Sequence, residues 1–133
     1  VCMVLWCLVH YARSQVPTAL VESLATAAFT ASTSYSGFPP QQCKYSSDEG
    51  WSPSTDNNLP NDYLQIDFGR IVSIYAIGTK GSCCTWQQNW ITFYEFYYSL
   101  SEPTLSTFVQ MTPYNNGNGT TLKGNVDWNT EAR

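Results

Sequence analysis

Leu64, Ile66 and Phe68 alternate with Gln65 and Asp67 in YLQIDFG (63–69), the period-two pattern of a half-buried β-strand. This strand follows SYSGFPP (34–40) and GWSPSTDNN (50–58), two segments dense in the residues that favour turns. No long helical periodicity appears anywhere in the chain, and short β-rich runs are separated by clusters of Gly, Pro, Asn and Ser. Such a pattern predicts an all-β sandwich or barrel. At 133 residues the chain is one domain with a single core. Phe29 and Ala31 begin a strand, and others are expected at about 63–68, 71–78, 90–98 and 107–111. In TFYEFYYS (92–99) apolar side chains fall on both faces, which predicts a central strand covered on both sides. NNGNG (115–119) reads as a hairpin turn, because Asn-Gly pairs tolerate positive φ.

AFTASTSYSGFPP (28–40), the GWSPSTD loop, YLQIDFG, AIGTKG (76–81) and GNVDWNT (124–130) occur in an order and spacing that resembles the discoidin family, the C-type domains of coagulation factors. The resemblance covers most of residues 19–131. It implies an antiparallel jelly-roll β-sandwich or barrel of the galactose-binding-domain-like kind, here over residues 19–133. In the family, further strands follow the GNVDWNT-like segment, close the barrel and end in a Cys. Those closing strands are expected to be missing here, leaving the domain incomplete on its C-terminal side. Family members also tie the two domain ends with a disulfide, for which this chain has no matching Cys.

The apolar run VCMVLWCLV (1–9) is too short to span a bilayer. With Ala12 and Ser14 as small residues before a cleavage point, residues 1–14 are read as a secretory signal peptide, and the protein as secreted or extracellular. The competing reading is a buried first strand, favoured by the lack of a basic residue ahead of the run. Removing a leader would leave Cys43, Cys83 and Cys84. Adjacent cysteines seldom bridge each other, because their Cα atoms lie about 3.8 Å apart and a disulfide prefers about 4.4–6.8 Å. One expected pattern therefore pairs Cys43 with Cys83 or Cys84. Three cysteines without a mature histidine make a poor zinc site. Asn118 lies in the glycosylation acceptor Asn118-Gly119-Thr120, which has meaning only in a secreted chain.

Catalysis finds little support. The only histidine, His10, lies in the leader, so no Ser–His or Cys–His pair remains. Phosphate-cradling glycine loops are absent. Asp48, Glu49, Asp56 and Asp62 cluster in one loop region, yet solvated turn acids explain them better than a glycosidase pair does. A non-enzymatic module is expected. Asp56, Asn57, Asn58 and Asp62 also supply oxygens for calcium, without an EF-hand pattern, and no other cofactor is suggested. The net charge of −4 and the absence of a basic stripe exclude nucleic acid as a natural partner.

The resemblance implies ligand binding by loops at one end of the barrel. The first corresponds to Tyr35, Ser36, Gly37, Phe38 and Pro39, with Phe38 at the tip. A second corresponds to Ser82, Cys83, Cys84 and Thr85, beside Trp86. A polar cleft between loops would involve Tyr35, Ser52 and Asp56. Three ligand classes compete. Against an anionic membrane surface, Phe38 contributes about 2–3 kcal/mol and Lys44 and Lys80 about 1 kcal/mol each. The total corresponds to a dissociation constant of roughly 0.2 mM, from which Asp48 and Glu49 subtract. For a glycan, Tyr35, Phe38 or Trp86 would lie on a sugar face while Asp56 and Ser52 take hydroxyls. An exposed aromatic also suits a matrix or receptor protein. Adhesion through a glycan or an extracellular matrix or receptor protein is favoured over lipid, because neither needs positive charge.

Overall fold

The computed structural model describes residues 4–9, 18–54, 62–74, 76–81, 89–100, 108–110 and 121–123. Every strand pair among them is antiparallel. Strand β1 (Val4–Val9) lies between β2 (Thr18–Ala19) and β5 (Ala76–Lys80) in a three-stranded sheet. Strands β3 (Phe29–Ala31) and β4 (Leu64–Ile66) form a second sheet. Two ribbons complete the described strands: β6 (Phe93–Glu95) with β9 (Thr121–Lys123), and β7 (Tyr97–Tyr98) with β8 (Val109–Gln110). Single 3₁₀ turns occur at Leu20–Ser23, Thr26–Ala28 and Pro40–Cys43. Val4–Val9, within the apolar run near the start of the chain, thus form β1.

The β3–β4 ladder positions the core. Its register pairs Phe29 with Ile66, Thr30 with Gln65 and Ala31 with Leu64. Since strand side chains alternate, Phe29, Ala31, Leu64 and Ile66 share one face. That face packs on a cluster of Val21, Phe29, Cys43 and Trp51, with Ala19, Leu24, Ala28 and Ala76 at its margin. The YLQIDFG strand ends by local chemistry. Asp67 N–H donates to Ala28 O at 2.8 Å, and the Asp67 carboxylate accepts Gly69 N–H at 2.7 Å. Gly69 there takes φ +63°, a left-handed conformation that suits glycine.

Lys44 couples the first 3₁₀ turn to the core. Its ammonium donates to Glu22 O at 3.2 Å and to Leu24 O at 2.7 Å, and lies 5.5 Å from the Phe29 ring centroid. Ser46 adds two bonds from its N–H and hydroxyl to the Glu22 carboxylate, at 3.0 and 2.5 Å. The Lys44 ammonium, considered above as a membrane contact, is thus engaged by two backbone carbonyls. Lys44→Ala is expected to lower stability by about 1–2 kcal/mol through the loss of these charged hydrogen bonds. Urea unfolding measures that loss, and binding to phosphatidylserine-containing vesicles should not change.

Three expectations are corrected. Residues 71–74 are not in a strand, and Ile71 is 77% exposed; the strand in this region is Ala76–Lys80. The 90–98 segment is not one covered central strand. It divides into β6 and β7, each with a single partner strand among the described residues, and Phe93, Tyr97 and Tyr98 are exposed. Apolar side chains on both faces did not mean burial on both faces, because burial depends on what packs over each face and not on the strand's own sequence. Cys43 is a free thiol rather than half of a bridge. It ends the Pro40–Cys43 turn within the buried cluster of Val21, Phe29 and Trp51. Cys83, Cys84, the NNGNG turn and the GNVDWNT segment lie outside the described residues.

Candidate functional site

The first loop is built around a tight turn. Phe38 N–H donates to Tyr35 O at 3.0 Å, with Ser36 and Gly37 between them. Gly37 takes φ +91°, and an added Cβ would meet nothing within 4 Å. Backbone conformation, not space, makes glycine fit here, as expected at the third position of a type II turn. Pro39 then holds the chain extended at φ −70° and ψ 163° before Pro40 opens the next 3₁₀ turn. Its fixed φ stiffens the loop.

The GWSPS segment is joined to this turn through its backbone. Tyr35 N–H donates to Ser52 O at 2.8 Å, and Ser52 N–H donates to Phe38 O at 3.3 Å. Trp51 lies beneath, 4% exposed, with its indole N–H on Thr33 O at 3.0 Å and Ser34 Oγ at 3.2 Å. The consequence is a raised aromatic. Tyr35 is 54% exposed, flanked by exposed Ser34, Ser36 and Gly37. Its ring lies 6.2 Å from that of Phe38 at 42°, a tilted pair.

The loop-tip assignment is thereby corrected. Phe38 is half-buried, and its N–H and carbonyl both serve the loop junction, so Tyr35 is the residue presented to solvent. The Tyr35–Phe38 turn explains the exchange, because it folds the Phe38 N–H back onto Tyr35 O. Ser52 is half-buried and acts mainly through its backbone, while its hydroxyl reaches Pro53 O at 3.5 Å. Of the predicted ligand residues, the structure brings together Tyr35, Phe38 and Ser52. Asp56, Ser82, Cys83, Cys84 and Trp86 lie outside the described residues, as do Asn118 and the calcium candidates Asn57 and Asn58.

The other loop acids have separate settings. Asp48 and Glu49 are exposed, with Glu49 accepting Gln42 Nε2 at 2.7 Å. Asp62 accepts the hydroxyls of Ser32 and Thr33. Ser32, Thr33 and Ser34 were not singled out from the sequence, although a hydroxyl run directly before an aromatic turn was the available signal. Among the described residues, no group of three or more His, Cys, Asp or Glu is placed to hold a metal ion.

The loops just described fall within a match to the F5/8 type C domain family over residues 28–133, most of the chain. The chain belongs to the F5/8 type C, or discoidin, family. Discoidin domains are jelly-roll β-sandwiches, which agrees with a described structure made of antiparallel strands and single 3₁₀ turns. They are typically non-catalytic and bind carbohydrates, proteins or phospholipids, generally in extracellular or cell-surface proteins. No solved structure matches the chain.

Proposed function

We propose that this discoidin domain is a secreted or cell-surface, non-catalytic module that mediates cell adhesion by binding a glycan or a matrix or receptor protein. The observation that carries the reading is Tyr35. It is a half-exposed aromatic ring on a loop held by backbone bonds to Ser52 at 2.8 and 3.3 Å, so little ordering entropy is lost on binding. Ser34 and Ser36 offer hydroxyls at its sides. A tyrosine face with adjacent hydroxyls suits a sugar ring or a protein side chain equally in chemical terms.

An anionic phospholipid surface is the weaker reading. Lys44 is turned inward, Phe38 is half-buried, and Asp48 and Glu49 are exposed on a chain of net charge −4. Asp56 and the loop of Ser82, Cys83, Cys84 and Trp86 belong to this proposal as further ligand contacts. So do a leader at residues 1–14 and a glycan on Asn118.

Wild-type and Tyr35→Ala proteins should be compared on immobilised oligosaccharides, on a panel of matrix proteins and on vesicles of mixed phosphatidylserine and phosphatidylcholine. The substitution should weaken oligosaccharide or matrix binding by about tenfold, the equivalent of 1.4 kcal/mol. Stability should change by about 1 kcal/mol or less, reflecting a surface site with one aromatic neighbour. Salt-sensitive binding to the vesicles alone, indifferent to Tyr35, would replace the adhesion reading with the phospholipid one.

A further inference from the structure

Two side chains from one strand end converge on a single carboxylate oxygen. Asp62 Oδ1 accepts the Ser32 hydroxyl at 2.9 Å and the Thr33 hydroxyl at 3.1 Å. Neither hydroxyl stops there. Ser32 Oγ accepts Tyr63 N–H at 3.0 Å, and Thr33 Oγ1 accepts Ser54 N–H at 3.1 Å. The Thr33 carbonyl in turn receives the Trp51 indole N–H. A hydroxyl has one proton to donate and two lone pairs with which to accept. Directing both protons at Asp62 leaves the lone pairs facing the two backbone N–H groups.

Asp67 shows what an ordinary turn aspartate does, bonding the backbone two residues on. Asp62 instead holds side chains 30 and 29 residues away in sequence. Bonds to an ionised acceptor are also stronger than neutral ones.

We propose that Asp62 is the positioning residue of the binding loops. By orienting Ser32 and Thr33 it holds Ser54 and Tyr63, and so sets the separation between the Thr33–Phe38 loop and the Gly50–Ser54 loop that together raise Tyr35. The inference rests on the binding reading above for its function, but its geometry is independent of any ligand.

The test uses the full chain with Asp62→Ala, Asp62→Asn and Thr33→Val, followed by amide hydrogen exchange and by binding to immobilised neutral oligosaccharides. In Asp62→Ala the Tyr35, Phe38 and Ser54 amides should exchange about tenfold faster or more, the scale of one lost hydrogen bond. The Leu24 and Ala28 amides, bonded in their own turns, should keep their rates. Asp62→Asn retains an acceptor oxygen and should restore most of the protection and of the oligosaccharide affinity. Thr33→Val conserves shape, removes one arm, and should release Ser54 selectively even if Asp62→Ala fails to fold.

Unchanged loop exchange in Asp62→Ala overturns the inference. Equal acceleration at Leu24 and Ala28 overturns it too, because Asp62 would then be a general stability residue. So does failure of Asp62→Ala to fold together with a silent Thr33→Val. Selective loop exchange in a protein that binds no oligosaccharide upholds the positioning role and removes the glycan reading instead.

Discussion

Trp51→Ala is expected to lower the unfolding free energy by about 3–5 kcal/mol, the range for deleting a large aromatic from a core. Trp51 is 4% exposed and packs with Val21, Phe29 and Cys43. Its indole N–H also satisfies Thr33 O and Ser34 Oγ, so truncation leaves a cavity and removes the donor beneath the Tyr35 loop. Against a total stability of about 5–15 kcal/mol for an ordinary domain, such a loss approaches unfolding. Trp51→Phe separates the two contributions. It keeps most of the apolar contact, loses the indole donor, and should cost about 1–2 kcal/mol more than a packing change alone. Urea unfolding monitored by circular dichroism measures both. A loss below about 1 kcal/mol for Trp51→Ala contradicts the core position, since that is the size of an ordinary surface effect.

Alkaline pH should produce the second large effect, through Cys43. Its thiol has no exposed surface, and burial pushes its pKa from 9.0 up to about 12, against smaller lowering effects from its own backbone and Lys44. Above pH 9 the unfolded thiol loses its proton while the folded one keeps it. Unfolding then releases a proton, so rising pH favours the unfolded chain. The contribution of Cys43 is therefore whole below pH 9 and declines between pH 9 and about 12. Its slope approaches about 1.4 kcal/mol per pH unit, which gives a loss on the order of 4 kcal/mol across the window. Tyrosines and lysines titrate in the same range, so the measurement is a difference. Unfolding free energies of wild type and Cys43→Ala should be followed from pH 8 to 11. Cys43→Ala should be less stable at pH 8 by about 1–2 kcal/mol, from the lost sulfur contacts. Its curve should then fall less steeply. Parallel curves would show that the thiol ionises without unfolding, and that the core around Cys43 admits water.

The two substitutions also bear on the binding loops in different ways. Trp51 supports Thr33 and Ser34 through its indole N–H, whereas Cys43 lies at the end of the Pro40–Cys43 turn that follows the loop and packs in the shared core. A protein lacking the Trp51 indole should thus lose Tyr35-dependent binding before it loses its β3–β4 ladder.

Features decided within a few residues were legible in the sequence alone. The alternation in YLQIDFG specified a strand with an apolar face. Gly37 between Ser36 and Phe38 specified a turn that accepts positive φ. The ordered motifs from Ala28 to Thr130 carried the family, and with it the all-β fold. Each of these rests on backbone sterics or on bonds spanning two or three positions, which neighbouring residues set by themselves.

What the tertiary structure decided was partner choice and exposure. Phe38 and Tyr35 look alike as loop aromatics, and only the bonds to Ser52 show which one faces solvent. Lys44 reads as a surface cation until the carbonyls of Glu22 and Leu24 are found within reach. Asp62 reads as a turn acid until Ser32 and Thr33 arrive from the far end of β3. The apolar run at Val4–Val9 carries no pairing information of its own, and its neighbours β2 and β5 come from elsewhere in the chain. In every such case the deciding contact joins segments well separated in the sequence, or depends on which second layer covers a face. Local propensity has no access to either, because burial and long-range hydrogen bonds are properties of the packed chain rather than of its individual residues.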